Sequence, residues 1–261
     1  MELTGLQNPI VKAAAQLKQK KYRREQGLFL AEGLRTVEEA VAADAVDSIF
    51  YKVDADERIG TVVAEAEAQG AKSYCVSERV LTKIADTETP QGVIALCKIK
   101  ENSFDELLLQ KKLLLVLDRI SDPGNLGTIL RTADAAGAVG VVLLAGCADV
   151  YAPKTVRATM GSVFHIPIVS GIEEESFVSS AHKAGYQVLV TCLDGLENLY
   201  DADLSGSLAL VMGNEIKGVS EGLLAAADKR IYIPMAGRAE SLNVSVASGI
   251  VLFEALRRKL A

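Results

Sequence analysis

The sequence predicts two α/β domains, the second built on a parallel sheet. Two observations carry this. Short apolar runs alternate with helical stretches along most of the chain. In the C-terminal half the runs are apolar almost without a break, as strands buried on both faces require: LLLVLD (113–118), VGVVLLA (139–145), QVLVTCL (187–193) and SLALVMG (207–213). A charged stretch with little strand character, KENSFDELLLQKK (100–112), separates the halves. It divides the chain into domains of 1–105 and 106–261.

Taken in order, residues 8–25 read as one helix, with Ile10, Ala14 and Leu17 on one side and basic residues around the rest. The strand LFLAEG follows, then the helical GLRTVEEAVAA, the strand SIFYKV, a helix near 57–69, the strand SYCV, a helix near 77–85 and the strand GVIALCKI. The second half alternates again. Its helices fall near 125–137, 153–160 and 173–184, after Ser220 and over 241–259; HIPIV (165–169) and RIYIP (230–234) are further strands.

Composition limits the function classes. The chain has 261 residues, is 49% apolar and contains no tryptophan. No apolar run reaches the ~18 residues of a membrane span, and the N-terminus lacks the basic-then-apolar order of a secretion signal. A cytoplasmic protein is expected, with no membrane partner. Cys75, Cys97, Cys147 and Cys192 are widely spaced and read as reduced thiols. The only histidines are His165 and His182, which argues against zinc hydrolysis and a serine–histidine hydrolase; no metal is expected.

The net charge of −6 would by itself argue against a nucleic-acid partner. Its distribution argues for one. Lys12, Lys18, Lys20, Lys21, Arg23 and Arg24 stand against Glu2 alone in the first 24 residues, so this end is basic on an acidic body. Lys18, Lys20, Lys21, Arg23 and Arg24 are the candidate RNA contacts; the plainer alternative is a solvated helix face.

Three segments rich in glycine and polar residues each follow a strand, and ligands of parallel sheets bind at the carboxyl ends of strands. In the first, DPGNLGTILR (122–131), Pro123 and Gly124 make a turn, and Asn125 reads as the N-cap of a helix carrying Arg131. Arg131 lies six residues on, rotated by ~120° at helical spacing, and its planar fork suits phosphate. In the second, LVMGNEIKGVS (210–220), Gly213 lets a ligand approach the backbone, and Glu215 can accept from an amine or hydroxyl. In the third, SLNVSVASG (241–249), Ser241 or Asn243 caps a helix whose Ala247, Ser248 and Gly249 permit close packing against a helix or ligand. Each segment alone is also an ordinary strand-to-helix loop. Phosphate-loop and dinucleotide fingerprints are absent, which disfavours a nucleotide-binding enzyme of another class.

Together, NxGxxxR (125–131), GNE–G (213–218) and SLNVSVA (241–247) resemble the three motifs of the SpoU/TrmH family of SPOUT RNA ribose 2′-O-methyltransferases. VRATMGSVFHIPI (156–168) resembles the stretch between motifs. NPIVKAAAQLKQKKYR and FLAEGLRTVEEA more loosely resemble the L30e-like RNA-binding domain that precedes it. The resemblance implies a SPOUT-type parallel sheet with a C-terminal trefoil knot, S-adenosyl-L-methionine as cofactor, a structured RNA as substrate (ribosomal ahead of transfer RNA) and a homodimer. By position it assigns Asn125, Arg131, Glu215, Ser241 and Asn243 to catalysis, with Thr191, Gly213, Ile233, Met235 and Leu242 at the cofactor. A non-catalytic RNA-binding or ribosome-assembly protein on the same fold is the alternative, disfavoured because all five catalytic positions are kept.

Overall fold

The computed structural model describes residues 3–260. In chain order the first elements are α1 (Pro9–Gln16), α2 (Lys20–Gln26), β1 (Leu28–Glu32), α3 (Leu34–Ala42), β2 (Val46–Lys52), α4 (Glu57–Ala68), β3 (Lys72–Val76), α5 (Glu78–Ile84) and β4 (Val93–Lys98). There follow α6 (Phe104–Leu109), β5 (Leu114–Leu117), α7 (Pro123–Ala135), β6 (Gly140–Leu144), α8 (Pro153–Thr159), β7 (Ile168–Ile172), α9 (Glu174–Lys183) and β8 (Gln187–Thr191). The chain closes with β9 (Glu197–Asn198), β10 (Leu208–Met212), α10 (Glu221–Ala226), β11 (Lys229–Tyr232) and α11 (Val244–Leu260).

These elements form two compact units: Met1–Lys100 with Asp149–His165, and Glu101–Ala148 with Ile166–Ala261. The charged stretch at 100–112 marks the first crossing. Segment 149–165 is a difference from the sequence expectation, which keeps it with 106–261. Its contacts explain the placement. Val156 is fully buried in the first unit's core, Asp149 pairs with Arg23 at 2.5 Å, and Arg157 pairs with Asp86 at 2.8 Å. Tyr151 and Phe164 stand 4.8 and 5.7 Å, centroid to centroid, from Phe29.

The first unit holds a mixed sheet in the order β1-β4-β2-β3, antiparallel except between β2 and β3. Its strands alternate with period two. Phe29, Ile49 and Ala95 face α3 and α4, while Leu30, Phe50 and Ile94 face α1 and α5. The helix expected over 8–25 breaks in two. Gln19 is extended (φ −99°, ψ 133°), and the buried Arg23 guanidinium donates to the carbonyls of Leu17 (2.7 Å) and Lys18 (2.8 Å). Those bonds replace the helical ones that the break removes.

The second unit is a seven-stranded, all-parallel sheet in the order β7-β6-β5-β10-β8-β11-β9. One face (Val116, Val142, Val190, Val211) packs against Leu107 and Leu108 of α6, Phe177 of α9 and Leu223 of α10. α7 and α11 pack on each other. After β5 the chain moves by α7 to β6; after β10 it moves by α10 to β11, on the other side. β5 and β10 are neighbours whose connections run to opposite sides of the sheet, the switch point at whose carboxyl edge parallel sheets bind ligands.

Candidate active site

The loop after β5 leads into α7 through a cap. Asp122, not Asn125, is the N-cap: its carboxylate accepts from the Asn125 N–H at 2.8 Å. Pro123 occupies the first helical position, where no N–H is needed. The sequence expectation is thus corrected by three residues, and the shift frees the Asn125 amide for other partners.

The loop after β10 is a tight return. Asn214 and Gly218 exchange two backbone bonds of 3.0 Å, and Asn214 Oδ1 accepts from the N–H groups of Ile216 and Lys217, each at 3.0 Å. Gly218 has φ +67°. The need for glycine at 213 is internal. A Cβ there would lie 2.4 Å from Val219 N and 2.5 Å from Gly218 C, so the returning backbone occupies the space.

Glu215 joins the two loops. Its Oε1 accepts from Asn125 Nδ2 (3.2 Å) and Asp122 N (3.4 Å). Its Oε2 accepts from Ser121 N (3.4 Å), Ser121 Oγ (3.2 Å) and Asn214 Nδ2 (3.2 Å). Burial pushes its pKa up; hydrogen bonds from its own backbone, from Asn125, and from Asp122 and Ser121 outweigh this and hold it below the usual carboxylate value. A carboxylate so occupied is a poor proton acceptor.

The third segment enters through Asn243. Its Nδ2 donates to Asn125 Oδ1 at 3.1 Å. Its own Oδ1 accepts from Ser245 N (2.9 Å) and Ser245 Oγ (2.5 Å), which caps α11. Asn243, Asn125 and Glu215 therefore form one chain linking all three motif segments. Ser241 is exposed and takes no part in it. Gly249 lies against Thr132 of α7, so the small-residue face of α11 serves a helix contact; Ser248 is buried and donates back to Val244 O at 2.7 Å.

Arg131 is exposed on α7 and makes no hydrogen bond or ion pair among the described residues. It sits about 9 Å along the helix from Asn125. At the ends of β8, β10 and β11, Thr191 Oγ1 donates to Val211 O (3.0 Å) and Met212 Sδ (3.2 Å). Leu193, Leu196, Ile216, Met235 and Leu242 are exposed apolar side chains following these same three strands. Residues 233–242, which carry Ile233, Met235 and Leu242, form an irregular segment with no hydrogen bond among the described residues. Apolar side chains beside backbone donors and acceptors outside any ladder suit a flat heteroaromatic group such as adenine. No group of His, Cys, Asp or Glu with metal-binding geometry occurs among the described residues.

Four residues of this edge are given no role by sequence reading: Asp118, Arg119, Ser121 and Asn214. Asn214 has a faint signal in the N-x-x-x-G spacing of a turn. Arg119 has none, because arginine does not announce its φ of +54°.

In the first unit, the basic run divides. Arg23 is buried and committed to Leu17, Lys18 and Asp149, which corrects its assignment as an RNA contact. Lys18 is partly buried and donates to Lys83 O at 3.0 Å; burial lowers its pKa, against the pull of Asp86. Lys21 makes an exposed pair with Glu25 at 3.8 Å. Lys20 and Arg24 are exposed.

Comparison with known proteins places this geometry. Residues 112–253 match the model of the SpoU rRNA Methylase family, and residues 8–95 match an MRM3-like substrate binding domain. The chain belongs to the SpoU rRNA methylase family. Among relatives, it is 39% identical over 253 residues to the 23S rRNA (guanosine(2553)-2′-O)-methyltransferase RlmP of Bacillus subtilis, covering 97% of this chain and 98% of that one. It is 37% identical over 222 residues to the 23S rRNA (guanosine-2′-O-)-methyltransferase RlmB of Haemophilus influenzae, covering 82% and 90%. Among solved structures, an AdoMet-bound rRNA methyltransferase from Sinorhizobium meliloti superposes with a TM-score of 0.91 at 40% identity, covering 100% and 99%. The SpoU methyltransferase AviRb of Streptomyces viridochromogenes, in complex with AdoMet, gives 0.86 at 28%, covering 97% and 99%. As a SpoU family member the chain keeps all three motifs on one carboxyl edge.

Proposed function

We propose that this protein methylates a ribose 2′-hydroxyl of ribosomal RNA with S-adenosyl-L-methionine as donor. The observation that carries it is the Asn243–Asn125–Glu215 chain, which draws the three motif segments together at the carboxyl edge of the sheet. RlmP and RlmB act on 23S rRNA by name, and the S. meliloti neighbour holds AdoMet. The cofactor would lie against Thr191, Gly213, Ile233, Met235 and Leu242. Bound there, it supplies an electrophilic methyl group on a positively charged sulfur, so the chain itself need not activate the donor.

The protein's work is alignment. A ribose hydroxyl is a weak nucleophile and must be held in line at near-attack distance. Arg131 presents a guanidinium; it stabilises the developing alkoxide and clamps the neighbouring phosphate through its fork. The proton leaves late, to water or a phosphate oxygen. Asn125, Asn243 and Ser241 flank the ribose, and Glu215 orients Asn125 without taking a proton. Lys20, Lys21 and Arg24 add electrostatic capture of the RNA by the first unit. The family's knot, a cytoplasmic location and a homodimer complete the proposal; Val246, Phe253 and Leu260 on α11 are apolar and exposed, as a helix entering such an interface would be.

Ribose-methylation mapping of total RNA from cells with and without the gene tests the reaction: one ribosomal position should lose its mark. If no ribosomal position changes, and the purified protein transfers no methyl group to deproteinised rRNA or ribosomal subunits, the proposal fails. Sedimentation at micromolar concentration tests the dimer.

A further inference from the structure

Both ends of the loop that carries Glu215 are held by one dipeptide, Asp118–Arg119. At the start of the loop, Asn214 Nδ2 donates to the Arg119 carbonyl at 2.7 Å. At its end, Ser220 N donates to Asp118 Oδ2 at 2.9 Å, and Ser220 Oγ donates to Glu174 at 2.6 Å while capping α10. Asp118 also extends the sheet, its N–H donating to Met212 O at 2.9 Å. The dipeptide has an uncommon internal geometry. Arg119 is left-handed at φ +54°, and its guanidinium turns back to grip the adjacent carboxylate in a fork, Nε to Oδ1 at 2.7 Å and Nη2 to Oδ2 at 2.8 Å. Asp118 is only 2% exposed, so its charge is met inside the protein. The Arg119 stem packs over Gly146, where an added Cβ would stand 3.0 Å from Arg119 Cγ.

We infer that Asp118 and Arg119 are positioning residues for the methyl-transfer site: the fork holds Arg119 left-handed, and in that conformation its carbonyl and the Asp118 carboxylate set the Gly213–Ser220 loop, and with it Glu215 and Asn125. A left-handed arginine is unfavourable by itself. The fork supplies the compensation. Glycine would adopt the backbone without it, but would leave the carboxylate without its cation. The inference rests on the methyl-transfer reading for its catalytic consequence and on hydrogen bonds alone for its structural one.

Arg119→Gly in the full chain separates the two. It keeps the backbone geometry and the carbonyl and removes the fork, together with the stem's packing over Gly146. Amide exchange over 213–220 should quicken by about tenfold or more, the worth of a lost charge-assisted bond, while amides of β5 and β10 keep their protection. Methyl transfer to rRNA should show a kcat roughly 100-fold lower, as displacement of about an ångström produces, with the RNA KM within about twofold. Arg119→Lys should recover only part, since a point charge cannot form the fork. A raised KM with unchanged kcat would instead make Arg119 an RNA contact and overturn the inference, as would unchanged exchange over 213–220. If Arg119→Gly does not fold, the double variant Asp118→Asn with Arg119→Gly removes both charges together; parent-like exchange over 213–220 in that variant also overturns it. Should the parent transfer no methyl group, the exchange measurement still decides the positioning role, and only the catalytic reading falls.

Discussion

Asn243 donates to Asn125 at 3.1 Å and thereby ties the start of α11 to the first turn of α7. Asn125 passes the link on to Glu215, acting as acceptor on one side and donor on the other. Only a side chain with both capacities can occupy that position.

Asn125→Asp keeps the acceptor toward Asn243 and sets a carboxylate against Glu215. The loss should be about 1–3 kcal/mol at pH 7.5, the range for a polar group stripped of its partner. Repulsion raises the pKa of one of the two acids. The deficit against the parent should therefore shrink as the pH falls to 5, above the range where the parent's own Glu215 protonates. Urea unfolding at both pH values measures it, and a deficit independent of pH would count against the facing-carboxylate geometry.

Arg131→Ala should leave the melting temperature within a degree or two, because the side chain is exposed and has no partner among the described residues. Turnover should fall by roughly 100- to 1,000-fold, as when a group that stabilises developing charge is removed. Calorimetry with S-adenosylhomocysteine should show unchanged affinity. An Arg131→Lys variant that turns over at the parent rate would refute the clamp.

Gly213→Ala places a methyl group against Val219 N. Backbone cannot swing aside as a side chain can, so the loop itself must shift. We expect about 1–3 kcal/mol of destabilisation, with cofactor binding and Glu215 alignment lost together. The more moderate expectation from sequence, a blocked ligand on an intact fold, predicts lost binding with an unchanged melting temperature. Thermal melts beside calorimetry distinguish the two.

The basic run should split in solution as it does in the fold. Lys20→Ala, Lys21→Ala and Arg24→Ala together should flatten the salt dependence of RNA binding without changing stability, as fewer counterions are released. Arg23→Ala should instead destabilise the first unit by roughly 3 kcal/mol, because it strands Asp149 and two carbonyls. A stable Arg23→Ala protein with weakened RNA binding would reverse this assignment.

Glu254 on α11 accepts from both Arg257 and Arg258, at 2.8 Å each. Hydrogen bonds from Arg257 and then Arg258 lower its pKa from 4.5 to about 2. A carboxylate whose folded pKa is depressed stabilises the fold above its unfolded pKa and stops doing so as the pH falls through the folded one. Glu254→Gln should therefore melt below the parent at pH 6, with the gap closing between pH 4.5 and about 2. A gap that persists at pH 2 would show that the ion pairs are not its source.

The alternating apolar runs determined the order of most strands and helices, because period and burial are written locally; α6, inside the charged stretch, and the two-residue β9 were not legible. The three motif segments were legible as well, each being a short pattern directly after a strand. A break inside 8–25 was not, since it depends on Arg23 reaching back to Leu17 and Lys18. Nor was the placement of 149–165 in the first unit, which follows from Val156 entering a core and Arg157 meeting Asp86, partners far away in the chain. The cap moved from Asn125 to Asp122 for a like reason. Either residue can cap locally, and Asn125 is released for Glu215 and Asn243 by contacts 90 and 118 residues distant. Arg119 is the extreme case: its left-handed backbone runs against its own preference, and only the neighbouring buried carboxylate and the returning Asn214 make it the stable choice. What the sequence determined by itself was the set of local elements and the chemistry each motif can offer. Tertiary structure alone decided which donor meets which acceptor, because those choices are made by groups that only the fold brings together.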